Sequence, residues 1–175
     1  ACMNTNPVMI YFGQELGEKG MDEEGFSGRD GRTTIFDYWT VDTIRRWRNG
    51  GKFDGKTLTK EEKKLQGFYS TLLNLCNKEK AIREGVFFDL TYANLEGIVF
   101  NEHRQYAFFR KAGKELLFII VNFDEKPAAP CVKIPTHAFD YLGIPYKESY
   151  KAKDLLTGNT ETLVMAPDQC TQILL

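Results

Sequence analysis

Five consecutive apolar residues, Val8, Met9, Ile10, Tyr11 and Phe12, closed by Gly13, constrain this chain more than any other feature. No polar residue alternates through them, which is the pattern of a strand buried on both faces of a parallel sheet. Parallel neighbours are joined by crossovers of a dozen or more residues, usually helical, yet only seven residues precede Val8. The run therefore reads as one strand of a parallel sheet whose other strands lie outside this chain. At 175 residues the chain is also too short for a complete (β/α)8 barrel, which takes roughly 250.

The stretch that follows is different. Nine glycines punctuate residues 13–55, and no apolar period persists apart from one helical turn expected near 41–47. Loops of this length inside a compact domain are functional or disordered. Order returns with a capping box, Thr59 followed by Glu62, in which hydroxyl and carboxylate each take the other residue's backbone N–H. Leu65, Phe68, Tyr69, Leu72, Leu73 and Cys76 then fall at helical spacing, so a helix with one apolar face is expected over 60–77. Beyond Glu84 the period drops to two. Strands are expected at 87–92, 105–111, 115–123, 131–134, 149–155, 160–164 and 171–175, with hairpins at Gly113 and Gly158-Asn159 and a short helix over 136–142 stopped by Gly143. The fold class is α+β: a strand, long loop and helix over residues 1–83, then an all-β antiparallel sandwich over 84–175.

Composition narrows the partners. With 42% apolar and 27% charged residues the chain can bury a core. Its 23 Lys and Arg against 24 Asp and Glu leave no basic excess for a phosphate backbone, so nucleic acid is not an expected partner. The longest apolar run, 116–121, falls far short of the roughly 18 residues of a membrane span, so none is expected. Cys2, Cys76, Cys131 and Cys170 are scattered without C-x-x-C or a nearby His pair, and read as ordinary buried or free thiols. No secretory signal opens the chain, and the compartment stays open.

Glu15, Glu18, Asp22, Glu23 and Glu24 form an acidic cluster without calcium-loop spacing, and charge runs of this kind usually solvate a surface. Glu15 stands apart because it closes a strand end, and structural and substrate-facing roles are both open to it. Tyr38 and Trp39 on the Gly-rich loop offer flat apolar faces, with Arg29 and Arg32 as hydroxyl-binding donors beside them. Trp47 has no such placement and reads as core. His103 and His137 lack catalytic companions and read as surface or hydrogen-bonded residues. Phe87, Phe88, Tyr92, Phe108, Phe109, Phe118 and Phe123 read as sandwich core.

Pro7 to Glu15, in the pattern P-x-x-x-Y-x-G-x-E, resembles the eighth barrel strand of the alpha-amylase family of glycoside hydrolases. Arg32 followed by Phe36, Asp37, Tyr38 and Trp39 is similar to the loop after that strand. The helix after Thr59 sits where the last barrel helix belongs. Tyr106 to Arg110, then Leu116 to Phe123, resembles the first hairpin of the family's C-terminal β domain, and Asp154-Leu155-Leu156-Thr157-Gly158 resembles its later turn. The order of these motifs covers nearly the whole chain; one departure is Thr5-Asn6-Pro7 in place of G-x-P. The resemblance implies the C-terminal part of an enzyme acting on α-glucans such as starch and maltooligosaccharides. Its retaining chemistry needs two carboxylates about 5 Å apart. The family's catalytic carboxylates lie on earlier strands, so no catalytic residue maps here and the chain by itself is expected to be inactive. No cofactor is expected in this chain, and calcium is one that the resemblance allows in a longer parent. The alternative is a stand-alone carbohydrate-binding or structural β module.

An unpaired apolar strand templates association. Val8 to Phe12 is therefore expected either to be covered by the helix or to pair with another copy, and sedimentation velocity shows self-association in the pairing case. A clean monomer with a protease-sensitive first third contradicts pairing.

Overall fold

The computed structural model of the protein describes residues 2–18, 41–95 and 99–174. It is α+β, with four α-helices and seven strands among the described residues, and every strand pairing is antiparallel. The chain divides into two compact units, Asn6–Asn74 and Leu75–Leu175, with Met3–Thr5 belonging to the second. Among the described residues no helix is long and apolar enough to cross a membrane.

The first unit is helical. Helix α1 (Asp42–Arg48) occupies the site of the expected helical turn and ends on Asn49, whose left-handed backbone lets its N–H reach the Arg45 carbonyl. Helix α2 (Lys60–Lys78) matches the expected helix within a residue. Its capping box is complete: the Glu62 N–H donates to Thr59 Oγ1 at 3.2 Å and the Thr59 N–H donates to Glu62 Oε2 at 2.8 Å. The expected strand at Val8 to Phe12 is not formed. These residues join no ladder, and Met9 is 84% exposed. A strand exists only through its neighbours' hydrogen bonds, and the described part of this unit contains no other strand.

The second unit opens with a short helix, α3 (Lys80–Glu84), which periodicity did not indicate. Three antiparallel sheets follow. Strands β1 (Val86–Asp89), β2 (Gln105–Ala112) and β3 (Glu115–Asn122) form a meander. Strand β4 (Cys131–Ile134) pairs with β7 (Gln169–Gln172), and β5 (Tyr150–Lys153) with β6 (Thr160–Leu163). Helix α4 (Thr136–Leu142) has the expected bounds and stops at left-handed Gly143. A strand stands at each of the seven expected places, but the first is shortened, the fifth loses both ends, and the last, expected over 171–175, lies at Gln169–Gln172 and shares only two residues with that range. The Asp89 carboxylate accepts the Thr91 N–H at 2.9 Å, and the chain turns into a 3-10 segment, Thr91–Asn94.

Alternation sorts the meander's aromatics between two faces, although β2 is buried on both, with Phe108 opposite Phe109 only 7% exposed. Phe88, Phe109 and Phe118 are cross-strand neighbours on one face, where Phe88 and Phe109 join Val132, Ile134, Phe139 and Leu142 in the core. Phe87 lies on the opposite face of β1, Tyr92 on the 3-10 segment and Phe123 past the end of β3. All three are exposed rather than core. Buried Asn94 acts as a surrogate strand. Its amide donates to the Leu90 and Lys133 carbonyls at 2.7 and 3.0 Å and accepts the Lys133 N–H at 2.7 Å, which closes the outer edge of β4.

Cys131 and Cys170 are not free thiols. They form a disulfide across β4 and β7, with Cα atoms 5.3 Å apart. The antiparallel register makes them diagonal neighbours, an adjacency that a sequence separation of 39 does not signal.

Arg110 is 2% exposed and clamps α3 to the meander. Its guanidinium donates to the Ala81 carbonyl at 3.1 Å and the Ile82 carbonyl at 2.8 Å, while Glu115 accepts the Ala81 N–H at 2.9 Å. A short helix is thus met by a cation at its carbonyls and an anion at its amides, in the sense the helix dipole favours. Burial pushes the Arg110 guanidinium below its ordinary range. The Gly85 N–H also donates to the Ala81 carbonyl, at 3.1 Å, and a Cβ on Gly85 would stand 2.2 Å from that oxygen. Only glycine fits.

Replacing Arg110 with Met is expected to cost about 2–4 kcal/mol in urea denaturation, because two buried carbonyls lose charged donors. Arg110→Lys is expected to recover less than half of that loss, since an ammonium lacks the planar fork.

Candidate functional site

The turn after Phe12 carries the first candidate residue. Gly13 has φ +74°, and a Cβ there would stand 2.7 Å from the Glu18 Cβ, so the position needs glycine on two counts. Its carbonyl accepts the Leu16 and Glu18 N–H groups, each at 3.0 Å, and winds residues 14–16 into a 3-10 turn ended by left-handed Gly17. Leu16 is the buried anchor of the turn. Gln14 holds it on both sides: its Oε1 accepts the Tyr11 N–H at 3.1 Å, and its Nε2 donates to Tyr69 Oη on α2 at 2.9 Å. Glu15 is half-buried on this turn.

A polar joint tethers α1 beside it. Thr43 Oγ1 donates to the Glu18 carboxylate. Arg46 Nε donates to both Glu62 oxygens at 3.1 Å, and its Nη2 donates to Oε1. Glu62 is 8% exposed. The Arg46 hydrogen bond, with support from Thr59, holds its carboxyl below the ordinary glutamate range, and Glu62 in turn raises the Arg46 guanidinium. The α1 backbone is joined too, since Thr57 Oγ1 donates to the Arg46 carbonyl.

Of the residues singled out from sequence, Glu15 lies on this turn, while Arg29, Arg32, Tyr38 and Trp39 lie outside the described residues, as do Asp22, Glu23 and Glu24. Glu18 is bound to Thr43 rather than merely solvated. Trp47 on α1 is half-buried with its ring edge-on to Phe53, centroids 5.4 Å apart. Motif patterns do not single out Gln14 or Arg46. Gln14 does fall within the P-x-x-x-Y-x-G-x-E segment, whereas Arg46 has no sequence signal. Among the described residues no three His, Cys, Asp or Glu side chains converge as a metal-binding group. The turn motif Asp154 to Gly158 does fold as a unit between β5 and β6. The Asp154 carboxylate accepts the Leu156 N–H at 2.8 Å and the Thr157 hydroxyl, and the Thr157 hydrogen bond lowers its pKa.

Glu62→Gln is expected to destabilise the protein by about 1–3 kcal/mol at neutral pH, through loss of a capping carboxylate and a charge-assisted pair. The folded pKa of Glu62 is depressed, so its contribution is complete above the ordinary glutamate range and is lost as pH falls through the folded value. Thermal melts from neutral to acid pH should therefore show wild type and variant converging at the acid end.

No protein-family profile matches the chain, and no curated protein does. Solved structures do. An Anoxybacillus alpha-amylase is similar over 71% of this chain and 23% of its own, at 17% identity and a TM-score of 0.42. A variant of AmyP solved in complex with maltotriose is similar over 99% of this chain and 30% of its own, at 20% identity and a TM-score of 0.56. The second likeness shows a shared fold over nearly the whole chain. This chain spans less than a third of the length of either solved protein.

Proposed function

We propose that this chain is the C-terminal portion of an alpha-amylase-like glycoside hydrolase that acts on α-glucans with retention of anomeric configuration. Residues 1–83 contribute the last strand position, substrate-side loop and last helix of a (β/α)8 barrel, and residues 84–175 form the C-terminal antiparallel β-sandwich. The observation that carries this reading is the fold shared with AmyP over 99% of the chain. It agrees with the order of motifs that the sequence carries from Pro7 through Asp154.

In this reading the Gly13 turn ends the eighth strand position at the face where barrel enzymes place their chemistry. Glu15, with Arg29, Arg32, Tyr38 and Trp39 from the loop, faces the substrate, the charged groups binding sugar hydroxyls and the rings covering a sugar face. Gln14 and the Glu18–Thr43 and Arg46–Glu62 pairs are positioning residues for that turn and loop. The nucleophile and the acid–base carboxylate belong to earlier strands of the parent, so this chain alone turns over no substrate. Maltotriose is what the AmyP variant was solved with, and maltooligosaccharides are the substrate class proposed here.

The test compares two proteins. Expressed from the complete reading frame, the enzyme should release reducing ends from maltoheptaose with the α-anomer appearing first by proton NMR, and the 175-residue chain alone should release none. Hydrolysis by the isolated chain, or a complete protein inert toward α-glucans, would falsify the reading.

A further inference from the structure

Four aromatic rings meet at the surface of the second unit where β1, the 3-10 segment Thr91–Asn94 and α4 come together. Phe88 is the nearly buried centre, with ring centroids of His137, Tyr141 and Tyr92 at 5.4, 5.8 and 6.3 Å from its own. His137 and Tyr141 stand one helical turn apart on α4, with centroids 5.9 Å apart. Tyr92 is 52% and Tyr141 60% exposed, and His137 is exposed as well. A single exposed aromatic needs no explanation, but several gathered round one anchor mark a binding surface.

The support beneath the rings is rigid. Asn94 pins the 3-10 segment to Leu90 and Lys133 with three hydrogen bonds. The Asp168 carboxylate caps the start of α4 by accepting the Thr136 hydroxyl at 2.5 Å, and Gly143 stops its end. Rings already held in place lose little freedom on binding.

We infer that Tyr92, His137 and Tyr141, seated on Phe88, form a binding platform for an α-glucan chain. None of the four rings carries a fixed charge, and Lys133, the cation on the strand that Asn94 pins, acts on Asp168 at the start of α4. It offers ring faces to apolar C–H faces, and phenol and imidazole groups to hydroxyls, which is the two-sided chemistry of a neutral sugar. The rings are not coplanar. His137 and Tyr141 are tilted 55° to each other, and Phe88 is tilted 45° to Tyr141 and 54° to Tyr92. Tilted faces suit a chain that curls, as α-linked glucose does, whereas a flat β-linked chain asks for coplanar rings. The choice of α-linked glucose also rests on the proposed function.

Isothermal titration of the purified 175-residue chain with maltoheptaose tests the platform. Binding heat is expected, and Tyr141→Ala and Tyr92→Ala should each weaken affinity about tenfold, the worth of one stacking face. Phe123→Ala, which removes an exposed ring past the end of β3, should leave affinity unchanged. Circular dichroism and melting confirm that each variant is folded. If an alanine variant does not fold, NMR of the wild type must show His137 and tyrosine ring resonances shifting with added maltoheptaose. The inference is overturned by absence of binding, by unchanged affinity in folded tyrosine variants, by equal affinity for cellohexaose, or by a dimer that Tyr141→Ala dissociates and maltoheptaose does not. The proposed function fails on a different readout, hydrolysis by the complete protein, so a chain that binds no glucan counts against the platform alone.

Discussion

Glu62 does two tasks that usually fall to separate residues, and the helical unit is organised around that economy. One carboxylate closes the capping box with Thr59 and receives the guanidinium of Arg46. Because helix α2 cannot satisfy its own first amides, the residue that starts it is also the residue that fixes where α1 lies. Glu62 is nearly buried while Arg46 keeps a third of its side chain exposed. Part of the desolvation penalty is thereby avoided, while the carboxylate keeps a full set of donors. The Gly13 turn is attached to the same helix by a different bond, Gln14 to Tyr69. Two short polar links thus hold the segments on which the proposed substrate-side residues depend.

The β unit meets a similar problem with different side chains. Its sheets are small, three strands and two pairs, and small sheets leave many backbone groups without partners. Asn94 supplies the missing neighbour of β4, and Arg110 with Glu115 supplies donors and acceptor to α3. The disulfide from Cys131 to Cys170 ties the two-stranded β4–β7 pair, which has few hydrogen bonds of its own. Apolar burial then needs only one contiguous cluster, built on Phe109 and Phe139 from facing elements.

The functional reading draws on features of different kinds. Motif order along the chain and the fold shared with AmyP support the α-glucan proposal. The gathering of exposed rings around Phe88 is an observation of surface chemistry, and its assignment to an α-glucan leans on that proposal. In the proposed reading the Gly13 turn belongs to the substrate end of one unit, and the aromatic face belongs to the other. What the chain does not contribute in this picture is the pair of carboxylates, which retaining chemistry places on other strands.

Local patterns carried much of the fold. The capping box at Thr59 predicted α2 within one residue, Gly143 marked the end of α4, and period-two alternation found the places of seven strands, the last of them displaced by two residues at its start. These succeed because capping, left-handed turns and alternation depend on residues a few positions apart. The Val8 to Phe12 strand failed for the opposite reason, since an apolar run states a preference and only a neighbouring strand can satisfy it. The same holds for Arg46 with Glu62, for Asn94 with Lys133, and for the disulfide, each of which joins residues 16 to 39 positions apart. Tyr92 and Tyr141 are ordinary aromatics in the sequence until β1 and α4 bring them around Phe88. The sequence alone determined most of the elements, the capping box of α2, the stop of α4 and the family they resemble. The tertiary structure alone decided which polar groups are paired and which rings face water, because pairing and burial are properties of neighbours in space.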